Sequence, residues 1–300
     1  MPEPDARAAP ARRLTPLLYG VGAAIGWGLA DYAGALSTRR LGVFQAMLGM
    51  QATGTVLYAG ALLALGRFPV LSFDLLPLGL ALAALGLAGL LLFYKALALG
   101  PIAIVSPIGG AYVAVTVLLV VAFLGERLSA SQTIAIAVTV LGIVMTGTDG
   151  RSLAAALGRP KPGVWLAILA MIGFGGWAAL MAYATREHDG LAMILVQRIV
   201  SVPITFVILL ALRRPLAARL DRRTIGIVLA TGVFDTLANV LYVLGVQGGY
   251  ASIVATGSGV YPIIPALLAI TMLGERLAPN QYAGVVVLLG GLVGLGLAGS

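Results

Sequence analysis

The sequence predicts an all-α membrane protein, with ten transmembrane helices in two inverted five-helix repeats around a central cavity. Three observations carry this. Residues are 60% hydrophobic and only 10% charged, where soluble domains run near 25% charged, so most of the chain is solvated by lipid. Apolar segments long enough to cross a hydrocarbon core of about 30 Å recur along its whole length. The chain is also written twice: residues 100–132 lie over 249–281 without a gap, with thirteen of thirty-three positions identical. An odd number of helices per copy forces the second copy to sit upside down in the membrane.

The segments follow in order at 17–37, 43–65, 75–98, 101–123, 131–148, 164–184, 191–212, 225–247, 250–273 and 280–298. Residues 1–16 are rich in Pro, Ala and Arg and read as a disordered cationic tail. Residues 17–148 make the first repeat, 149–163 the connector and 164–298 the second repeat. The repeat signal peaks where Leu124-Gly125-Glu126-Arg127-Leu128 and Leu273-Gly274-Glu275-Arg276-Leu277 each precede a late Gln, Gln132 and Gln281. It continues upstream in weaker form, with Trp27 opposite Trp177 and Gln51 opposite Gln197. The paired Glu126-Arg127 and Glu275-Arg276 read as caps at the membrane interface.

Composition also excludes function classes. No cysteine is present, which removes thiolate metal sites and Cys nucleophiles. The one histidine, His188, sits among the charges of Thr185-Arg186-Glu187-His188-Asp189 as a solvated loop residue. No motif supplies a catalytic residue, a metal site or a cofactor. The net charge of +8 resides in tails and connectors, which suits lipid headgroups and topology signals and argues against nucleic acid. Orientation divides the signals. Connectors opposite the termini hold most of the cations, among them Arg39, Arg40, Arg222 and Arg223, whereas the basic tail Arg7, Arg12 and Arg13 pulls the termini toward the cytoplasm.

Ionisable residues inside spans are expensive and normally face a bundle interior or a wet cavity. At about 1.5 Å per residue, Asp235 lies near the midplane in helix 8, and Arg198 lies about 10 Å into helix 7. An ion pair between them is expected. Asp31, two-thirds of the way along helix 1, is a carboxylate able to exchange a proton with solution. Lys95 is close enough to a helix end to snorkel to the interface. Polar and aromatic groups gather at the same depth: Trp27, Gln51, Tyr112, Trp177, Gln197, Asn239, Gln247 and Tyr261. Asn239 shares a helical face with Asp235. Tyr112 and Tyr261 are repeat mates. As a set these residues are expected to line the cavity, with Trp27, Asp31, Gln51, Tyr112, Trp177, Gln197, Arg198, Asp235, Asn239 and Tyr261 contacting substrate. Small faces for close packing are offered by Gly22-x-x-x-Gly26 and Gly290-x-x-x-Gly294. Pro107 in helix 4, and Pro262 and Pro265 in helix 9, each delete a backbone donor and so mark bending points for gating.

Ten helices, a five-plus-five repeat and the Leu-Gly-Glu-Arg-Leu signature resemble the EamA-type carriers of the drug/metabolite transporter superfamily, over residues 17–298. The resemblance implies inverted repeats, helices 4 and 9 that bend for alternating access, and termini in the cytoplasm. It implies secondary active transport of a small organic solute (an amino acid, metabolite or drug-like compound) across a bacterial plasma membrane. Small four-helix multidrug relatives place an essential acidic residue in helix 1; Asp31 is in helix 1 but deeper along it. Partners are then the solute, protons as coupling ion and the lipid bilayer, with a monomer or weak homodimer as the assembly. The alternative is a membrane-embedded lipid-modifying enzyme.

Overall fold

The computed structural model describes residues 9–99, 105, 108–147, 162–213, 221–264, 268 and 278–298. These form ten α-helices: α1 (Ala9–Leu41), α2 (Val43–Ala64), α3 (Leu76–Leu99), α4 (Tyr112–Leu124) and α5 (Ala130–Gly147), then α6 (Pro162–Glu187), α7 (Gly190–Ala211), α8 (Arg222–Gly248), α9 (Ala251–Ser258) and α10 (Pro279–Ala298). Among the described residues, five stretches are long and apolar enough to cross a membrane: Val43–Ala64, Phe73–Ala96, Pro162–Glu187, Gly190–Ala211 and Arg222–Gly248. Ile108–Leu124, Ala130–Met145 and Pro279–Leu295 are shorter apolar helices. Large apolar side chains such as Val56, Leu118, Phe123 and Val286 are exposed on the outside, as a lipid solvent permits.

Helix ends follow local chemistry. Asp189 and Asp221 cap α7 and α8, their carboxylates accepting from the backbone N–H of Leu191 and Thr224 at 2.8 Å each. Hydrogen bonds from the Thr224 side chain and backbone hold the Asp221 carboxyl below the usual carboxylate range. Gly125 closes α4 in the left-handed region at φ 68°, a conformation that costs other residues a Cβ clash. Arg186 at the end of α6 donates to the Leu124 carbonyl at 2.8 Å, placing a cation at the negative end of α4. The first helix differs from its predicted start. It begins at Ala9, inside the segment read as a tail, where Ala and Arg are strong helix formers.

Packing between the halves shows their inversion. Repeat mates α2 and α7 touch where Tyr58 donates to the Leu191 carbonyl and where Gly54 meets Arg198. As the chain runs forward on one helix it runs backward on the other. Mates α5 and α10 do the same: Gly142 lies against Leu288, and its counterpart Gly291 lies against Thr139, the counterpart of Leu288. Mates α4 and α9 join Glu126 to Ala251 and Ser252 at one end and Tyr112 to Ser258 at the other. Each mate pair is antiparallel. One half is therefore turned over relative to the other about an axis lying across the helices, as odd helix number requires. Other contacts respect the same exchange: α1 packs on α8 as α6 packs on α3, and α1 on α9 as α6 on α4.

Small residues set these crossings. A Cβ at Gly26 would stand 2.8 Å from the Ala238 Cβ, and one at Gly22 would stand 3.2 Å from Leu241, so Gly22-x-x-x-Gly26 seats α1 on α8. The second expected small face holds at Gly294, where a Cβ would stand 3.7 Å from the Ala135 Cβ, but not at Gly290. Nothing lies within 4 Å of a Cβ at Gly290, whereas one at Gly291 would stand 2.6 Å from the Thr139 backbone nitrogen. Rotation of α10 by one residue, about 100°, makes the difference. Gly291→Ala is accordingly expected to lose about 1–3 kcal/mol to overpacking relative to Gly290→Ala. Both changes add the same helix propensity, so unfolding midpoints of the two purified variants in denaturing detergent isolate the contact. Equal midpoints would contradict it.

Candidate functional site

A cavity of about 800 Å³, counting its open mouth, lies between the halves. Helices α5 and α10 contribute no lining side chain and pack against each other at the periphery. Trp27 and Asp31 enter from α1, Gln51 from α2, Tyr112 from the start of α4, and Trp177 from α6. Gln197 and Arg198 enter from α7, Asp235 and Asn239 from α8, and Tyr261 from the turn after α9. The cavity thus brings together all ten residues expected to contact substrate. Gln247, read at the same depth, is exposed at the end of α8. Lys95 is exposed on α3.

Arg198 organises one wall. Its Nη2 donates to Asp235 Oδ2 at 2.7 Å and its Nη1 to Gln51 Oε1 at 3.4 Å. The arginine side chain is 4% exposed and the aspartate 19%, so the carboxylate faces the cavity and the guanidinium lies behind it. Gly54, less than one turn beyond Gln51, makes room: a Cβ there would overlap Nη1 and stand 3.0 Å from Cζ. Asn239 Nδ2 donates to the Asp235 main-chain carbonyl at 2.6 Å, fixing the amide one turn above the carboxylate. Arg198 Nε is buried without a hydrogen-bond partner among the described residues.

Repeat symmetry and its violation both show at this wall. Gln197 Oε1 accepts from the indole N–H of Trp177 at 3.0 Å. Its mate Gln51 instead accepts from Arg198, whose own repeat counterpart is Ala52. Asp31 likewise stands opposite Met181 at the Trp27–Trp177 offset. The charges are additions to a symmetric frame of aromatics and amides. Asp31 interacts repulsively with Asp235 and makes no ion pair among the described residues.

An aromatic cluster forms part of the cavity wall, with Trp27 and Trp177 lining it. Trp27 and Trp177 meet edge to face, with centroids 6.0 Å apart and planes at 75°. Tyr242 packs on both at 5.6 Å, and such pairs are favourable when offset or T-shaped. Tyr242 was not expected at the site; carried upstream, the 149-residue repeat offset sets it opposite Phe93, an aromatic match that could have drawn notice. Met50, Gly86, Leu90 and Phe174 also line the cavity unannounced. Apolar residues of a membrane helix look alike in sequence whether they face lipid or a cavity.

The broken helices meet beside this cluster. Ahead of α4 the chain tightens, with Ala111 N bonded to Ile108 O and Ala114 N to Ala111 O, each three residues back. After α9 the same tightening joins Tyr261 N to Ser258 O, Ile263 N to Val260 O and Ile264 N to Tyr261 O. Pro262 lacks the N–H that a continuing α-helix would use. Repeat mates Gly110 and Gly259 lie against each other at these breaks: a Cβ on Gly110 would stand 3.2 Å from Gly259 O and 2.7 Å from Pro262 Cγ. Tyr112 hydrogen bonds Ser258, which donates in turn to Ala255 O at 3.0 Å. Tyr261, 4% exposed, has a buried hydroxyl without a hydrogen-bond partner among the described residues. Pro107 and Pro265 lie outside the described residues.

Glu126 refines the reading of the signature. It is buried, 7% exposed, and the helix end that it caps belongs to the other repeat. Its carboxylate accepts from Ala251 N at 2.8 Å, Ser252 N at 3.2 Å and Ser252 Oγ at 2.6 Å, satisfying the first donors of α9 at its positive end. The left-handed turn at Gly125 carries it inward, while Arg127 remains exposed. Glu275 and Arg276 lie outside the described residues.

This assembly of inverted helical halves around a polar, aromatic-walled cavity is that of a polytopic membrane transporter of small solutes. The profile of the EamA-like transporter family matches residues 14–148 and 161–297, one match per repeat, and the chain belongs to that family. No curated protein sequence matches the chain. A solved crystal structure superposes with a TM-score of 0.73 over 93% of this chain and 95% of that one, at 16% sequence identity, which is a likeness of fold.

Proposed function

We propose that the protein is a secondary carrier that moves a small organic solute by alternating access, using the cavity between its halves as the single binding site. The observation that carries this reading is the meeting of two helix breaks at the repeat mates Gly110 and Gly259. Each break places its tyrosine, Tyr112 or Tyr261, in the cavity wall. Because α4 and α9 run antiparallel, bending one opens the cavity to one face and bending the other opens it to the opposite face. Glu126, on the first donors of α9, holds one of those ends shut. Asp31, a cavity carboxylate without an ion pair among the described residues, is the site at which a proton couples to the cycle.

Counterflow in proteoliposomes tests the reading. A panel of labelled amino acids, nucleosides and organic amines is added outside vesicles loaded with the same compound unlabelled. Transient accumulation of label that depends on the internal load is expected for at least one member. Chemical conversion of the label, or flux indifferent to the load, would contradict it. Pro262→Ala restores a backbone donor and stiffens the break, so exchange should slow several-fold while binding is retained. Asp31→Asn should remove the dependence of exchange on an imposed pH gradient, and an unchanged dependence would exclude the coupling role.

A further inference from the structure

We infer that the solute is a small organic ammonium ion with an apolar or aromatic body, bound by the Asp31 carboxylate against the walls of Trp27, Trp177 and Phe174. The inference rests on the carrier reading above and names the substrate class of the same cavity. Among the described residues, three charged side chains line the cavity: Asp31, Asp235 and Arg198. Only one of them is a cation, and it is committed. Arg198 spends Nη2 on Asp235 and Nη1 on Gln51, lies behind the aspartate and is 4% exposed. A solute carboxylate would have to displace Asp235 from it, leaving that aspartate uncompensated beside Asp31. Such a solute would meet two anions in a largely buried site, where like charges strongly disfavour each other.

A solute cation meets the opposite situation. Asp31 is the one cavity charge with no counter-ion among the described residues, and it lines the same cavity as the aromatic walls. The carboxylate can accept from an ammonium N–H. The indole faces add attraction for a desolvated cation. Trp27 and Trp177 are held at a fixed mutual angle by Tyr242 and by the Trp177–Gln197 hydrogen bond, so the apolar wall is built before the solute arrives.

Three probes with one body and different charge test this: 2-phenylethylammonium, 2-phenylethanol and 3-phenylpropanoate, titrated calorimetrically into the purified full-length protein in detergent. The ammonium should bind roughly tenfold or more tighter than either of the others, the difference one charge-assisted contact makes. Asp31→Asn should abolish that preference and Asp31→Glu should restore part of it. Equal or tighter binding of the alcohol or carboxylate, binding of none, or an undiminished preference in Asp31→Asn would overturn the inference. The comparison of probes on the unaltered protein needs no variant to fold. Counterflow of another panel member alongside any of these results would leave the carrier reading standing and remove only the substrate class.

Discussion

Asp235→Asn is expected to cost about 3–5 kcal/mol of stability, the loss typical when one partner of a buried ion pair is removed. The substitution leaves the Arg198 guanidinium almost fully buried with no counter-charge among the described residues, only neutral amide oxygens (the new side chain's and that of Gln51, at 3.4 Å), and with Nε already unpartnered among the described residues. Lys95→Gln, on an exposed side chain, should stay within about 0.5 kcal/mol. The double replacement Arg198→Gln with Asp235→Asn should recover part of the loss, because both charges leave together. Unfolding midpoints in denaturing detergent measure all of these. If Asp235→Asn and Lys95→Gln shift the midpoint equally, the pair does not hold α7 to α8.

The second large effect is expected at Glu126. Glu126→Ala leaves the backbone donors of Ala251 and Ser252 and the Ser252 hydroxyl without their acceptor. A buried donor stripped of its partner costs about 1–3 kcal/mol, so the start of α9 should loosen. Glu126→Gln keeps one acceptor oxygen and should fall between Ala and the native residue. Arg127→Ala, next in the chain and exposed, should change little. Hydrogen exchange of the α9 amides reads the effect locally. Protection in Glu126→Ala equal to that of the native protein would remove Glu126 as the cap.

The sequence announces what is expensive in lipid. Asp31, Arg198 and Asp235 can lie within spans only if they face protein or a cavity, and the pairing of two of them followed from depth alone. The repeat supplied Tyr112 with Tyr261 and Trp27 with Trp177, because two copies of one pattern must approach a common axis. Other features depend on directions that one-dimensional spacing does not encode. Glu126 turns inward through the left-handed residue before it, so the glutamate read as a cap does cap a helix, but the other repeat's, which spacing along one copy does not encode. Gly291 and Gly290 differ only in helix rotation, yet one touches α5 and the other touches nothing within 4 Å. The sequence also left open which group would hold Arg198 besides Asp235. Gln51, from the opposite repeat, does so, and this turns a wall available to anions into one that is not.

Alternating access is tested most directly through the absence of cysteine from the chain, which allows a single reactive thiol to be placed in the cavity. Leu90→Cys puts it on α3 in the cavity wall, at a residue with no part in the ion pair or the aromatic cluster. A membrane-impermeant maleimide should label this cysteine when added to either side of sealed, oriented vesicles, because the cavity opens to each face in turn. Labelling from one face alone would contradict the account: the cavity would then be a fixed vestibule, and the breaks in α4 and α9 static bends.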